Sequence, residues 1–127
     1  MMLRMPWQVT KYVKANDKCP FDKWKGKLTD KDRSALDVAV LALESTDVIP
    51  PETIKKYLTT KVHEFKIKGD RKQLRPLVEK IGEKREILIF CGAIEKDKIP
   101  DGDITTAENL LAEWKSGAGN VRSYWEN

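Results

Sequence analysis

Six cations stand within one fifteen-residue stretch of this chain: Lys61, Lys66, Lys68, Arg71, Lys72 and Arg75. Glu64 and Asp70 are the acids among them, so the stretch carries four net positive charges. The residues before it (+3) and after it (−3) cancel, and the overall charge of +4 is therefore the property of one segment. Arginine presents a planar fork that matches a phosphate in two places, and lysine a compact point charge. A local excess of both points to a polyanionic partner. Lys96 and Lys98 form a second, smaller group further on.

The elements that must position these cations follow from the pattern around them. Val62 to Ile67 alternates, with His63, Phe65 and Ile67 on one face and Val62, Glu64, Lys66 and Lys68 on the other, which predicts a strand. Gly69-Asp70 turns the chain into a second extended run, Leu74 to Ile81. Gly82 turns it again into the apolar run Glu86 to Cys91, which suits a strand covered on both faces. Pro76 removes a ladder donor, so its strand is expected to be an edge or to bulge there. Lys96 and Lys98 then lie in the polar loop Ile94 to Asp103.

Upstream, Trp7 to Val13 reads as a first strand, and Pro20 opens a short helix of about Phe21 to Lys27. Thr29 is a fitting N-cap for a second helix, Asp30 to Glu44, with Asp30 and Asp32 in the first turn, where the helix dipole favours acids, and Leu36, Ala39, Val40 and Leu43 as its buried stripe. Ser45 to Thr60 connects, with one helical turn at Glu52 to Leu58. A last helix, Ile104 to Lys115, carries the stripe Ile104, Ala107, Leu111 and Trp114. Residues 1–6 and 117–127 are read as flexible ends of a single domain, residues 1–127. The order βααβββα is an α+β domain, a small twisted, mostly antiparallel sheet packed with a helical hairpin and a C-terminal helix.

The remaining composition excludes several classes. At 40% apolar and 35% charged residues, no run approaches the ~18 apolar residues of a membrane span. The N-terminus shows no apolar signal core, and Cys19 and Cys91 are expected to be reduced thiols in a cytoplasm. His63 and two scattered cysteines give no metal-ligand spacing. Cys91, Trp24 and Trp114 are expected in the core, His63 as a partly buried structural histidine, and Glu64 in a cross-strand ion pair with Arg75.

The ordered combination resembles the RelE/ParE superfamily of bacterial toxins, in its HigB-like and phage-derived Gp49-like branch. The resemblance runs from Trp7 to about Trp114. Trp7, Val9 and Tyr12, then Pro20-Phe21 and Trp24, then a polar helix containing Arg33, are similar to that branch's entry. Val62 to Ile67 resembles the family's "ElRi" strand, with Glu64 in place and Lys66 where arginine is usual. Leu74-Arg75 resembles its "yRv", and Ile87 to Gly92 the apolar strand before its paired lysines, near which Lys96 and Lys98 fall. Asp97 separates those lysines, the usual glutamine is missing, and Pro76 follows Arg75.

This resemblance implies the toxin of a type II toxin–antitoxin system, neutralised by a small antitoxin protein. It implies a metal-independent endoribonuclease that cuts mRNA on the ribosome with no cofactor. Such chemistry uses the RNA's own 2′-OH as nucleophile, so the protein must take its proton, stabilise a phosphorane-like anion and protonate the leaving oxygen. The roles it implies are Arg75 clamping the scissile phosphate, Lys66 as base or second anion ligand, and Lys96 beside them. Lys61, Lys68, Arg71, Lys72 and Lys98 would hold flanking phosphates. Tyr124 or Trp125 would stack on a base, unless that tail is disordered. Two alternatives remain: a RelE-fold toxin acting on a protein target such as DNA gyrase, and a non-catalytic nucleic-acid-binding, phage-derived protein.

Overall fold

The computed structural model of the protein describes residues 6–56 and 61–127. Strand β1 (Gln8–Val13) leads into helices α1 (Pro20–Gly26) and α2 (Asp30–Glu44), as the periodicity predicts. Proline in the first turn of α1 loses no helical hydrogen bond, since that amide has no intrahelical acceptor. Thr29 caps α2, its Oγ1 accepting the Asp32 amide at 3.3 Å. The chain continues through β2 (Ile54–Lys56), β3 (His63–Phe65), β4 (Ile67–Lys68), β5 (Gln73–Ile81) and β6 (Glu86–Glu95). It closes with α3 (Asp101–Lys115) and β7 (Asn120–Ser123).

The fold is α+β. Among the described residues the sheet runs β2-β3-β5-β6-β1-β7, with β4 also paired to β5. Pairing is antiparallel except between β1 and β6, which run parallel. One face of the sheet meets α1 and α2 through Phe21, Leu36, Val40 and Leu43, packed with Val9, Phe65, Leu74 and Ile89. The other face meets α3 through Ile104, Ala107, Leu110 and Leu111, packed with Tyr12, Leu77, Leu88 and Phe90. That double cover explains why β6 reads as an unbroken apolar run. No helix among the described residues is long and apolar enough to cross a membrane.

Pro76 decides a local feature of the sheet. Glu64 pairs with Leu77, and Ile67 pairs with Leu74, so the register between them sets Phe65 across from Pro76 and Lys66 across from Arg75. Proline has no amide to donate, so the ladder breaks there and one strand divides into β3 and β4. The Lys66 amide donates instead to the Thr53 carbonyl at 2.9 Å. A register shift between Leu77 and Val78 adds an irregularity on the β6 side. The bulge expected near Pro76 is present, and the strand that carries it is internal.

Three segments differ from the sequence reading. Residues 51–53 form a turn and Ile54–Lys56 a strand, where a helical turn over Glu52 to Leu58 was expected. Burial of Ile54 opposite Phe65 outweighs the local preference; positions 57 and 58 lie outside the described residues, as do 1–5 at the expected flexible N-terminus. Helix α3 begins at Asp101, three residues earlier than its apolar stripe suggests.

The third difference is the C-terminal segment, which is a part of the fold. Gly117 (φ +90°) and Gly119 (φ +75°) turn the chain back so that β7 pairs with β1. A Cβ at Gly119 would stand 2.5 Å from the Val13 carbonyl oxygen, so only glycine permits the approach. Tyr124 is buried, with its amide on the Val9 carbonyl at 3.0 Å and its ring packed on Phe21. Its hydroxyl donates to Asp37 Oδ1 at 2.6 Å, and burial raises its pKa above the ordinary tyrosine value, reinforced by that carboxylate. Tyr124 is therefore a core residue and does not stack on a base. Tyr124→Phe is expected to cost about 1 kcal/mol in urea unfolding, the contribution of one hydrogen bond to a partly exposed carboxylate.

Candidate functional site

The turn between β4 and β5 and the end of β6 enclose a cavity of about 560 Å³. Lys68 reaches it from β4, Arg71 and Lys72 from the turn, and Lys96 from the residue after β6. Gln73 and Glu95, paired across the sheet, form part of its wall with Gly69 and Ile94. Four of the expected cations thus converge although Lys96 lies far along the chain from the others. Among the described residues Glu95 is the one carboxylate lining the cavity. An anion entering here meets positive charge from several directions, opposed by Glu95 and with Lys72 already paired to Asp32.

The turn that carries these cations is fixed from below by Asp32, in the first turn of α2. Asp32 is fully buried, and its Oδ1 accepts the Asp70 amide at 2.8 Å while Oδ2 lies 3.1 Å from Lys72 Nζ. The Asp70 amide bond lowers the Asp32 pKa, and Lys72 and Thr29 add to this against the opposing effect of burial. Gly69 lets the carboxylate approach, since a Cβ there would stand 2.7 Å from Oδ1. The turn closes with the Gly69 amide on the Lys72 carbonyl at 2.9 Å, and Arg71 takes φ +59°. Sequence reading placed Asp32 at the helix dipole's favourable end; its burial under the basic turn comes from long-range packing.

Arg75 stands behind the cavity and does not line it. It is 6% exposed. Its Nη2 donates to Gln73 Oε1 at 3.2 Å, its Nη1 to the carbonyls of Leu74 (2.9 Å) and Ile67 (3.3 Å), and its Nε faces Glu95 Oε2 at 3.4 Å. Arg75 therefore orients the two wall residues Gln73 and Glu95. The cross-strand ion pair expected between Glu64 and Arg75 does not form, because Glu64 sits opposite Leu77. Glu64 is instead buried beside Lys66, at 3.6 Å.

The other expected site residues lie apart. Lys66 is across from Arg75 in the sheet, yet its side chain lines a groove against α2. Lys61 is exposed ahead of β3, and Lys98 is paired with Asp101 at 3.7 Å. His63 is half-buried near Glu79, and burial holds its pKa below the ordinary value, although Glu79 opposes this. Cys91 is buried, its thiol pKa pushed up to about 12 by that burial. Trp24 and Trp114 pack against the two core clusters. No group of three metal-ligating side chains stands together among the described residues.

Glu95 and Gln73 escaped the sequence reading because they carry no motif; register alone pairs them and brings them to the cavity. A periodic reading extended four residues past Cys91 would have placed Glu95 on the strand. Compared with known proteins, the chain matches no family model, no curated protein and no solved structure.

Proposed function

We propose that this chain is a RelE-like toxin of a type II toxin–antitoxin pair, a metal-independent endoribonuclease that cuts mRNA on the ribosome in the cytoplasm. The observation that carries this reading is the convergence of Lys68, Arg71, Lys72 and Lys96 on one cavity beside a carboxylate. The order β1-α1-α2 followed by the antiparallel β3-β5-β6 pairing, with β1 parallel to β6, supports the resemblance in residue pattern. In this reading the scissile phosphate sits among Lys68, Arg71 and Lys96, which stabilise its developing negative charge. Glu95, oriented by Arg75, accepts the 2′-OH proton as that oxygen attacks the phosphate; the P–O5′ bond breaks to leave a 2′,3′-cyclic phosphate, and the departing 5′ oxygen takes a proton from the Lys96 ammonium. Arg75 acts on the wall, and the role first assigned to it as phosphate clamp passes to the exposed cations.

The test is expression from a tightly repressed promoter in a bacterium, with primer extension on abundant transcripts. Growth arrest with new 5′ ends inside translated regions is expected. Both should vanish in a Lys68→Ala/Arg71→Ala/Lys96→Ala variant, whose changes are all exposed and leave the core intact. Lys98→Ala should behave as the unaltered chain. Arrest with intact transcripts would overturn the nuclease reading in favour of a protein target such as gyrase. The exposure of Val38 (67%) and Leu41 (58%) on α2 is the observation favouring that second reading. Salt-dependent RNA binding without cleavage or arrest would leave a nucleic-acid-binding protein.

A further inference from the structure

Arg75 sets the chemistry of the cavity wall as well as its position. A guanidinium carries five donors and no acceptor. Gln73, bound to Arg75 Nη2 at 3.2 Å, therefore turns its carboxamide oxygen toward Arg75 and its NH2 group away. Glu95 faces Nε of the same guanidinium through Oε2, which leaves Oε1 to the cavity. Gln73 and Glu95 are direct partners across β5 and β6, and both line the cavity. Side chains paired in this way start about 5 Å apart at Cβ, and here one guanidinium holds both heads. Among the described residues the other charged side chains of the lining, Lys68, Arg71, Lys72 and Lys96, are donors only. Glu95 is thus the wall's one free side-chain acceptor, and the proton transfer employs it.

This arrangement limits which base can stand beside the cut. At about 560 Å³ the cavity is in the size range of a site for one small ligand, such as a nucleotide. Phosphate contacts to its cations carry no sequence information. The 2′-hydroxyl lies on the sugar side of the nucleotide, together with the minor-groove edge of its own base. A nucleotide whose 2′-OH meets Glu95 therefore brings that edge to the neighbouring Gln73. Adenine, cytosine and uracil show only an acceptor there, N3 or O2, whereas guanine adds the N2 amino donor. An unconstrained glutamine serves guanine with both ends of its amide, donating to N3 and accepting from N2. Gln73 has its oxygen committed to Arg75 and offers donors alone. We propose that Gln73 reads the base on the 5′ side of the cut, taking adenine, cytosine or uracil and rejecting guanine. This selectivity rests on the nuclease reading of the same cavity.

The test measures the four ribonucleoside 3′-monophosphates on the purified full chain, each displacing a fluorescein-labelled uridine oligomer. Guanosine 3′-monophosphate is expected to bind about tenfold more weakly than the other three. Gln73→Leu should bring all four to one affinity. Gln73→Glu, which turns an acceptor toward the base, should reverse the order in favour of guanosine. Gln73 is exposed, so neither change disturbs the core. The ratio between nucleotides is read within one preparation, and a loss of folded protein cannot imitate it. Equal affinities in the unaltered chain, or a guanosine penalty that survives both substitutions, overturn the base reading and leave the RNA reading standing. A chain that binds neither the oligomer nor any of the four removes the RNA reading, and the base selectivity falls with it.

Discussion

Gly92→Ala is expected to lower stability by about 3 kcal/mol, the upper end of what one added carbon costs in a packed interior. Gly92 lies in the middle of β6, across from Pro76, and the Trp24 indole of α1 rests directly against its backbone. A Cβ on Gly92 would overlap the indole ring, with Cδ2, Cε3 and Cε2 as its nearest atoms. The obstacle is a rigid bicycle wedged against Phe21, at a ring separation of 5.8 Å, so it cannot swing aside as a flexible chain would. β6 yields little, because it is paired with β5 along its length and with β1 as far as Ile89. The shift must therefore pass into α1, whose own Asp22 holds the buried Lys11 at 2.9 Å. Urea unfolding checks the magnitude. Trp24→Leu in the same chain should recover part of the loss, giving a coupling of about 1 kcal/mol or more between the two positions. A loss below about 1 kcal/mol for Gly92→Ala would show that α1 adjusts freely.

The second large effect is expected at Asp32. Asp32→Ala removes the acceptor of the Asp70 amide and the counter-charge of Lys72, which together should cost about 3 kcal/mol. Its effect on anion binding separates two roles by sign. Deleting a negative charge beside a cationic cavity strengthens anion binding if charge alone matters. Weakening is expected here, by about tenfold for a short RNA oligomer, because the turn presenting Lys68, Arg71 and Lys72 loses its anchor. Asp32→Asn keeps one acceptor oxygen and should fall between. The folded-state pKa of Asp32 lies below its ordinary value of 3.8. Its contribution is therefore fully present above that value and disappears as pH falls through the lower folded-state pKa. Acid unfolding of Asp32→Ala should accordingly begin from a lower stability at neutral pH and lose less than the unaltered chain between pH 4 and strongly acid conditions. Parallel acid unfolding curves for the two would remove Asp32 from that role.

Much of this molecule is legible in residue order. Helix α2 begins at Asp30 and ends at Glu44 as its stripe and Thr29 cap predict, since period and capping act within one helix. The three-strand core of the sheet follows from alternation and from turns at Gly69 and Gly82. The clustering of charge between Lys61 and Arg75 is likewise a property of the chain alone. Tertiary structure decided the rest, because it depends on which distant segments meet. Arg75 looked like a surface cation and became a buried brace for Gln73 and Glu95, since register sets it behind the wall of the cavity. Asp32 looked like a helix-dipole acid and became the anchor of a turn thirty-eight residues away. Tyr124 followed two glycines like the end of a loose tail, yet β7 closes on β1 and carries its ring into the core. Lys96 joined Lys68 because the antiparallel pairing of β5 and β6 brings the end of one beside the start of the other. Local pattern encodes periodicity and turns; register and long-range burial, which no short window contains, choose the partners that make a site.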